Sequence, residues 1–329
     1  MNSDRKFLGT EPVGRLLLKL ALPTVAAQLI NMLYNIVDRI YIGMIPENAT
    51  LSMTGLGLCL PIISMVIAFA NLYGTGGAPL CSIERGRGNL RKAENIMGNS
   101  FTLMVATGVL FTVFGLLFKR PLLYLFGASD QTFPFADAYI TIYLLGSVFV
   151  MIGLGMNSFI NSQGFGRIGM YTVLLGAVAN IVLDPLFIFV FGMGVRGAAL
   201  ATIISQFLSA FWVLKFLTGK KTILKLKLPA MRLNGELVRS ITALGLSGFT
   251  MSITNSLVQI LCNATLQSYG GDLYVGVMTV VNSVREIIQM PVQGITHGSQ
   301  PVLGFNYGAG ECGRVKTGIK FVSAAAIVY

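Results

Sequence analysis

Residues 171–191 read YTVLLGAVANIVLDPLFIFVF, an apolar run broken by one charged side chain, Asp184. Coiled as a helix it would reach about 30 Å, the thickness of a bilayer's hydrocarbon core. Runs of the same kind recur near 16–42, 51–73, 98–118, 138–158, 197–217, 241–268 and 274–297, and a ninth begins near 318. They are continuous, without the alternation of membrane-barrel strands, and read as helices. The composition agrees: of 329 residues, 54% are hydrophobic and 11% charged. A soluble domain carries about 25% charged residues. A chain this size could not cover its core with so few charges in water. The sequence predicts an all-α integral membrane bundle whose outer solvent is lipid.

The net charge of +11 raises the question of nucleic acid, but the basic residues sit in the wrong places. Arg5, Lys6, Arg15 and Lys19 precede or open the first run, and Arg85, Arg87, Arg91 and Lys92 follow the second. Arg167 follows the fourth, and Lys215, Lys220, Lys221, Lys225, Lys227, Arg232 and Arg239 follow the sixth. Arg314, Lys316 and Lys320 come after the eighth. The intervening loops hold only Lys119, Arg120 and Arg196. This is the positive-inside pattern, which predicts a cytoplasmic amino terminus in a multi-pass plasma-membrane protein. The basic excess orients the chain, and no nucleic-acid partner is expected.

The first run holds Gln28, Asn31 and Asn35 and lacks a small-residue cleavage site, so it is read as a span rather than a cleaved signal. Cys59, Cys81, Cys262 and Cys312 form no CxxC pair, and no disulfide framework or zinc site is expected. Asn48-Ala-Thr50 fits a glycosylation acceptor. Gly192-Met-Gly194-Val-Arg-Gly197 matches G-x-G-x-x-G, but it joins two spans rather than a strand to a helix. With a single histidine, His297, neither a Ser/His/Asp triad nor a histidine metal cluster is in sight, and the chain is not read as an enzyme. His297 itself is read as a packing residue.

The long basic break, with Pro229, divides the chain into a six-helix lobe (1–217), a cytoplasmic linker (218–238) and the start of a second lobe (239–329). Shifting the numbering by 222 lays Ala21-Leu22 on Ala243-Leu244, Pro79 on Pro301, and Gly86-x-Gly88 on Gly308-x-Gly310. Both halves begin from the same side, so the repeat is parallel, as in many transporters with sites at the repeat interface. The second lobe holds two spans and part of a third, which predicts a carboxyl-terminally truncated chain.

Two carboxylates stand out because each lies inside an apolar run. An acid at the centre of a membrane helix costs about 2.5–3.5 kcal/mol on insertion scales and marks function by default. Asp184 lies one helical turn after Asn180 and directly before Pro185. Pro185 has no N–H, so the Ile181 carbonyl loses its helical partner. Kink, amide, free carbonyl and carboxylate together suit a proton or a small hard cation; the alternative is a buried polar knot between helices. Asp38 follows Asn31, Tyr34 and Asn35 on roughly one face of the first span, and its alternative is a pairing with Arg39. A rise of about 1.5 Å per residue brings the two acids to comparable depth in the outer half. Tyr139, Asn157, Thr202 and Gln206 come from other helices and matter if they converge on the acids. Arg285-Glu286, inside the eighth span, either lines a wet cavity or snorkels.

These motifs resemble the multidrug and toxic compound extrusion (MATE) family. The matching pieces are Pro23 with Asn35-x-x-Asp38, Asn180-x-x-x-Asp184-Pro185, Gly194-Val-x-Gly197-Ala-Ala-x-Ala-Thr202, and Gln300-Pro301-x-x-Gly304-x-Asn306-x-Gly308-Ala309. The resemblance implies twelve helices in two lobes around a cleft. It implies export of amphipathic, often cationic drugs against an inward proton or sodium flow, with no further cofactor. It places the cation site at Asp38, Asn180, Asp184 and Thr202, with a sodium ion there as the one metal to consider. It matches Tyr34, Tyr139 and Asn157 to the cavity wall, and Asn35, Gln206, Arg285 and Glu286 are added as cavity candidates. Pro23 and Pro185 are the expected helix kinks. The departure is the lack of the last spans, without which the fragment is not expected to transport. The rival of the same architecture is a lipid-linked oligosaccharide flippase, which would need a basic cavity; within the spans the sequence offers Arg39 and Arg285. A channel would need a filter or a ring of charges, and neither is visible.

Overall fold

The computed structural model describes residues 8–45 and 49–329, apart from the side chains of residues 256, 259, 260, 263, 264, 267, 270–276, 279, 280, 283, 286 and 287. Arg5, Lys6 and Asn48 lie outside the described residues. The first lobe comprises α1 (Val13–Gly43), α2 (Ala49–Gly86), α3 (Leu90–Leu125), α4 (Phe133–Leu145), α5 (Ser147–Ser162), α6 (Gly166–Pro185) and α7 (Val195–Thr218). Two further helices follow, α8 (Gly235–Gly308) and α9 (Cys312–Val328). Among the described residues five helices are long and apolar enough to cross a membrane, six if the bent pair α4 and α5 counts as one span. The outside of the bundle is apolar: Leu22, Leu117, Val182 and Val190 are all more than 60% exposed. With lipid as solvent, such a surface is the stable one.

The expected span 138–158 is broken. α4 and α5 meet at Gly146 with a bend of 56°. A bend inside a membrane releases backbone groups that must find partners. Here Thr112 Oγ1 donates to the Leu144 carbonyl at 2.7 Å, and Ser147 Oγ donates to the Gly108 carbonyl at 3.0 Å. Both partners come from α3, which therefore holds the bend in place.

The backbone of α8 is helical for 74 residues. A straight helix of that length would run about 110 Å. Yet Gly245 packs on Leu72 of α2, Phe249 stacks edge-on against Phe69, and Gly308 packs on Ile83 of the same helix. Residues 72 and 83 are only about 16 Å apart along a helix. α8 therefore runs outward along α2, reverses between Phe249 and Gly294, and returns beside α1, where Gly294 meets Val25 and Gly298 meets Ala21. The two passes run through the stretches 241–268 and 274–297. The shift of 222 recurs in the backbone: Val13 maps on the first residue of α8, and Leu90 maps on Cys312, the first of α9. The turns at Gly88 and Gly310 both have φ near +80°, at 87° and 79°. In each, the amide after the glycine bonds back five residues, Asn89 to Glu84 at 2.8 Å and Glu311 to Asn306 at 2.9 Å.

The basic linker is not loose. Buried Gln163, at the end of α5, accepts at Oε1 from Thr222 Oγ1, Ile223 N and Leu224 N, at 2.9, 2.9 and 2.8 Å. Asn99 of α3 donates to the Ala230 and Arg232 carbonyls at 3.3 and 3.1 Å and accepts from Asn234 N at 2.8 Å. Asn234 then caps α8 by accepting from Glu236 N and Leu237 N at 3.0 and 3.3 Å. Such a cap stabilises a helix start by about 1 kcal/mol.

Candidate functional site

The site begins at the end of α6. Asn180 and Asp184 are one turn apart, and Asn180 Nδ2 donates to Asp184 Oδ1 at 3.2 Å. After Pro185 the helix widens into a π-turn, Leu186–Val190, closed by Phe191 N donating to the Leu186 carbonyl at 2.9 Å. The missing proline donor explains the change of register, since the chain must find bonds of longer reach to continue. Gly197 of α7 sits directly on the Phe187 carbonyl, where an added Cβ would come within 2.7 Å of backbone. That contact sets α7 against the turn and brings Thr202 to the site.

Asp38 arrives from α1 and adjoins Asp184, with Tyr34 close to both acids. Tyr139 of α4 adjoins Thr202 and Asp38, and stacks on Tyr143 with ring centroids 6.3 Å apart. Asp184 is fully enclosed, whereas Asp38 is half-buried and faces a cavity. Asp38 Oδ1, Asp184 Oδ2 and Asn180 Oδ1 are buried with no hydrogen-bond partner in the protein. No ion pair within 4 Å joins Asp38 to Arg39 among the described residues. Orphaned buried acceptors are costly, about 1–3 kcal/mol each and more for charged groups. The two acids stand within hydrogen-bonding reach of each other once one of them is protonated, so a shared proton, or a small cation in its place, would satisfy oxygens that are orphaned while both are ionised. Among the described residues there is no His/Cys/Asp/Glu group of three or more for a transition metal.

Of two adjoining cavities, the larger reaches Asp38; the smaller is lined by neither acid, and Asp184 lies enclosed behind both. The larger, about 910 Å³, is lined by Tyr34, Asn35, Asp38, Arg39, Tyr139, Thr202 and Gln206, and across the cleft by Phe249, Gln293, His297 and Gln300 of α8. The smaller, about 200 Å³, is lined by Asn157, Asn180, Thr202 and Gln206, with Asn71, Asn161 and Ser205. The expected residues Tyr34, Asn35, Asp38, Tyr139, Asn157, Asn180, Thr202 and Gln206 all border one cavity or both. Arg285 does not: its side chain is exposed and lines neither cavity. The Glu286 side chain lies outside the described residues. Pro23 is buried in α1 beside Thr24, whose Oγ1 donates to the Gly294 carbonyl at 2.6 Å. His297, read from the sequence as a packing residue, borders both cavities. Asn71 and Asn161 were not picked out by sequence reasoning, and Gln300 was quoted only as part of the family motif; the available signal for a cavity role was an amide inside an apolar stretch.

Opposite the acids the bundle is closed. At the basic end Leu16, Leu17 and Leu20 pack on Val302 and Phe305. Arg314 Nε donates to Asn306 Oδ1 at 2.8 Å and its Nη2 to the Glu11 carbonyl at 2.7 Å. Arg85 donates to the Ser162 carbonyl at 3.1 Å and lies 5.6 Å over the Phe305 ring.

A family model described as MatE matches residues 23–186 and 249–328. The chain is 26% identical over 314 residues to the multidrug export protein MepA of Staphylococcus aureus (strain MSSA476), covering 94% of this chain and 68% of that protein. It is 27% identical over 311 residues to MepA of Staphylococcus saprophyticus, covering 94% of this chain and 67% of that protein. Its fold superposes on the outward-facing conformation of a multidrug resistance MATE family transporter with a TM-score of 0.92, at 23% identity, over 100% of this chain and 72% of that one.

Proposed function

The chain belongs to the MatE family, and we propose that it is a secondary antiporter that exports amphipathic, cationic small molecules against an inward flow of protons or sodium ions. The observation that carries this reading is the pair Asp38 and Asp184, enclosed with Asn180, and a cavity that reaches Asp38 and is large enough for a drug-sized molecule. Ligand pockets commonly span about 300–1,000 Å³.

The cycle follows from competition for the same oxygens. With both acids ionised, the first lobe attracts a cation whose apolar body rests on Tyr34, Tyr139 and Phe249. A proton or sodium ion entering from the far side takes the place of the drug on these oxygens, lowers the negative charge of the pair and weakens that attraction. Two adjoining acids titrate as one coupled system, so a single arriving ion changes the charge seen by the drug. The pair, now less charged, favours another arrangement of α1, with Pro23 as the point of bending, and the cation is released. The basic loops point to a cytoplasmic amino terminus in the plasma membrane, so that export runs outward.

The flippase reading is weaker on this cavity. A lipid-linked pyrophosphate would meet one arginine, Arg39, together with the carboxylate of Asp38. The test is efflux of a panel of cationic dyes from proteoliposomes holding the full-length protein, with a proton gradient, a sodium gradient or neither. Gradient-dependent efflux by one ion is the expected result. Equal efflux without either gradient, or transport of pyrophosphate lipids alone, overturns the proposal.

A further inference from the structure

The linker between α7 and α8 has a pattern that the transport reading does not use. From Lys221 to Ala230 its buried residues are Thr222, Leu224, Leu226 and Ala230, and between them Lys221, Lys225 and Lys227 are exposed. The alternation is that of an extended strap lying on a protein face, with period two. Gln163 and Asn99 fix its two ends through backbone and hydroxyl donors, and Leu226 N donates to the Leu217 carbonyl at 3.0 Å. The lysines are thus held in a row on one side, and the row begins where α7 leaves the apolar bundle.

Only part of that charge is compensated. Glu94 accepts from Lys227 Nζ at 2.7 Å and from the Lys225 amide at 3.2 Å. Among the described residues no carboxylate lies within 4 Å of the side-chain nitrogens of Lys220, Lys221, Lys225, Arg232 or Arg239. The nearby Glu236 is spent in the first turn of α8. A second feature points the same way. Leu228 and Leu233 are 80% and 57% exposed among these cations, although the strap has a protein face on which to bury apolar groups. Cations flanking outward apolar side chains at the edge of a membrane bundle match a bilayer interface, where the lipid phosphates meet the acyl chains.

We propose that the strap is a docking surface for the headgroups of anionic phospholipids, with Lys220, Lys221 and Lys225 on the phosphates and Leu228 dipping below them. The binding is independent of any transport cycle and is read directly. The full chain is reconstituted in bilayers of phosphatidylglycerol and phosphatidylcholine, and the lipids it retains are counted by native mass spectrometry. The wild type should retain phosphatidylglycerol preferentially, and the preference should weaken as salt is raised. The combined variant K220Q/K221Q/K225Q should lose the preference by at least about ten-fold, given about five-fold per surface lysine. Leu228→Ser should lose part of it with every charge in place. All four side chains are exposed, and an unchanged unfolding temperature certifies the fold of each variant. Retention by the triple variant equal to wild type overturns the proposal. So does displacement of the lipid by millimolar glycerol phosphate, which would mark a free-anion site instead.

Discussion

Asp184 has no exposed surface and holds one hydrogen bond, from Asn180 at 3.2 Å, while its second oxygen has none. A structural acid would be fully bonded, because a half-satisfied polar group stabilises less than an apolar one of the same shape. The deficit marks a group kept for exchange. Asp184→Asn keeps the shape and removes the charge. We expect gradient-driven dye efflux in proteoliposomes to fall at least about ten-fold, with the unfolding temperature at or above wild type, since an uncompensated buried acid is costly in a membrane. Asp38→Asn, on the open side of the pair, should lose gradient coupling to a similar degree. Wild-type efflux in both variants would remove the acids from the mechanism. Asn180→Ala should lower coupling less, because both carboxylates survive, although the bond to Asp184 Oδ1 and the Asn180 Oδ1 acceptor are both lost.

One helix end, Asn180 to Val190, carries most of the site's geometry, and its order depends on close contact with α7. Gly197 has no room for a side chain, since the Phe187 carbonyl occupies it. Gly197→Ala should therefore push the π-turn away and cost about 1–3 kcal/mol. The check is a lower unfolding temperature together with weaker coupling, since the turn follows Asp184 directly. The spans and the acid pair were legible because lipid imposes a simple rule: apolar run means helix, and an acid within it needs a reason. The bend at Gly146 was not legible. Its stability lies in Thr112 and Gly108, more than 30 residues away, and no local spacing encodes such partners. The same holds for Asn71 and Asn161, which read as isolated amides until folding sets them around one cavity. Arg285 shows the converse: its position in a span was clear, but which face of α8 turns to the cleft depends on how that helix packs on α1 and α2.

At the scale of the whole molecule, the two halves of the repeat touch chiefly at the basic end, and the acids and the larger cavity lie on the other side of that seal. An alternating-access cycle must break the seal, so its bonds set the balance between arrangements. Its polar part is concentrated on Arg314, which reaches the Glu11 carbonyl at 2.7 Å and Asn306 at 2.8 Å, while Asn306 Nδ2 holds the Leu8 carbonyl at 3.1 Å. Removing the guanidinium takes away the partner of these part-buried acceptors, and water satisfies them more fully when the helices part. With about 1–3 kcal/mol per unsatisfied buried group, Arg314→Ala should move the equilibrium roughly ten-fold or more toward an arrangement open at the basic end. Spin labels at Lys19→Cys on α1 and Lys316→Cys on α9, in a background with the native cysteines replaced, report that separation directly. The wild type should give one short distance, and Arg314→Ala should add a longer one that grows when Asp38 is also made Asn. An unchanged distance distribution would mean that the apolar contacts of Leu17, Leu20 and Phe305 hold the seal unaided, and that Arg314 serves only to start α9.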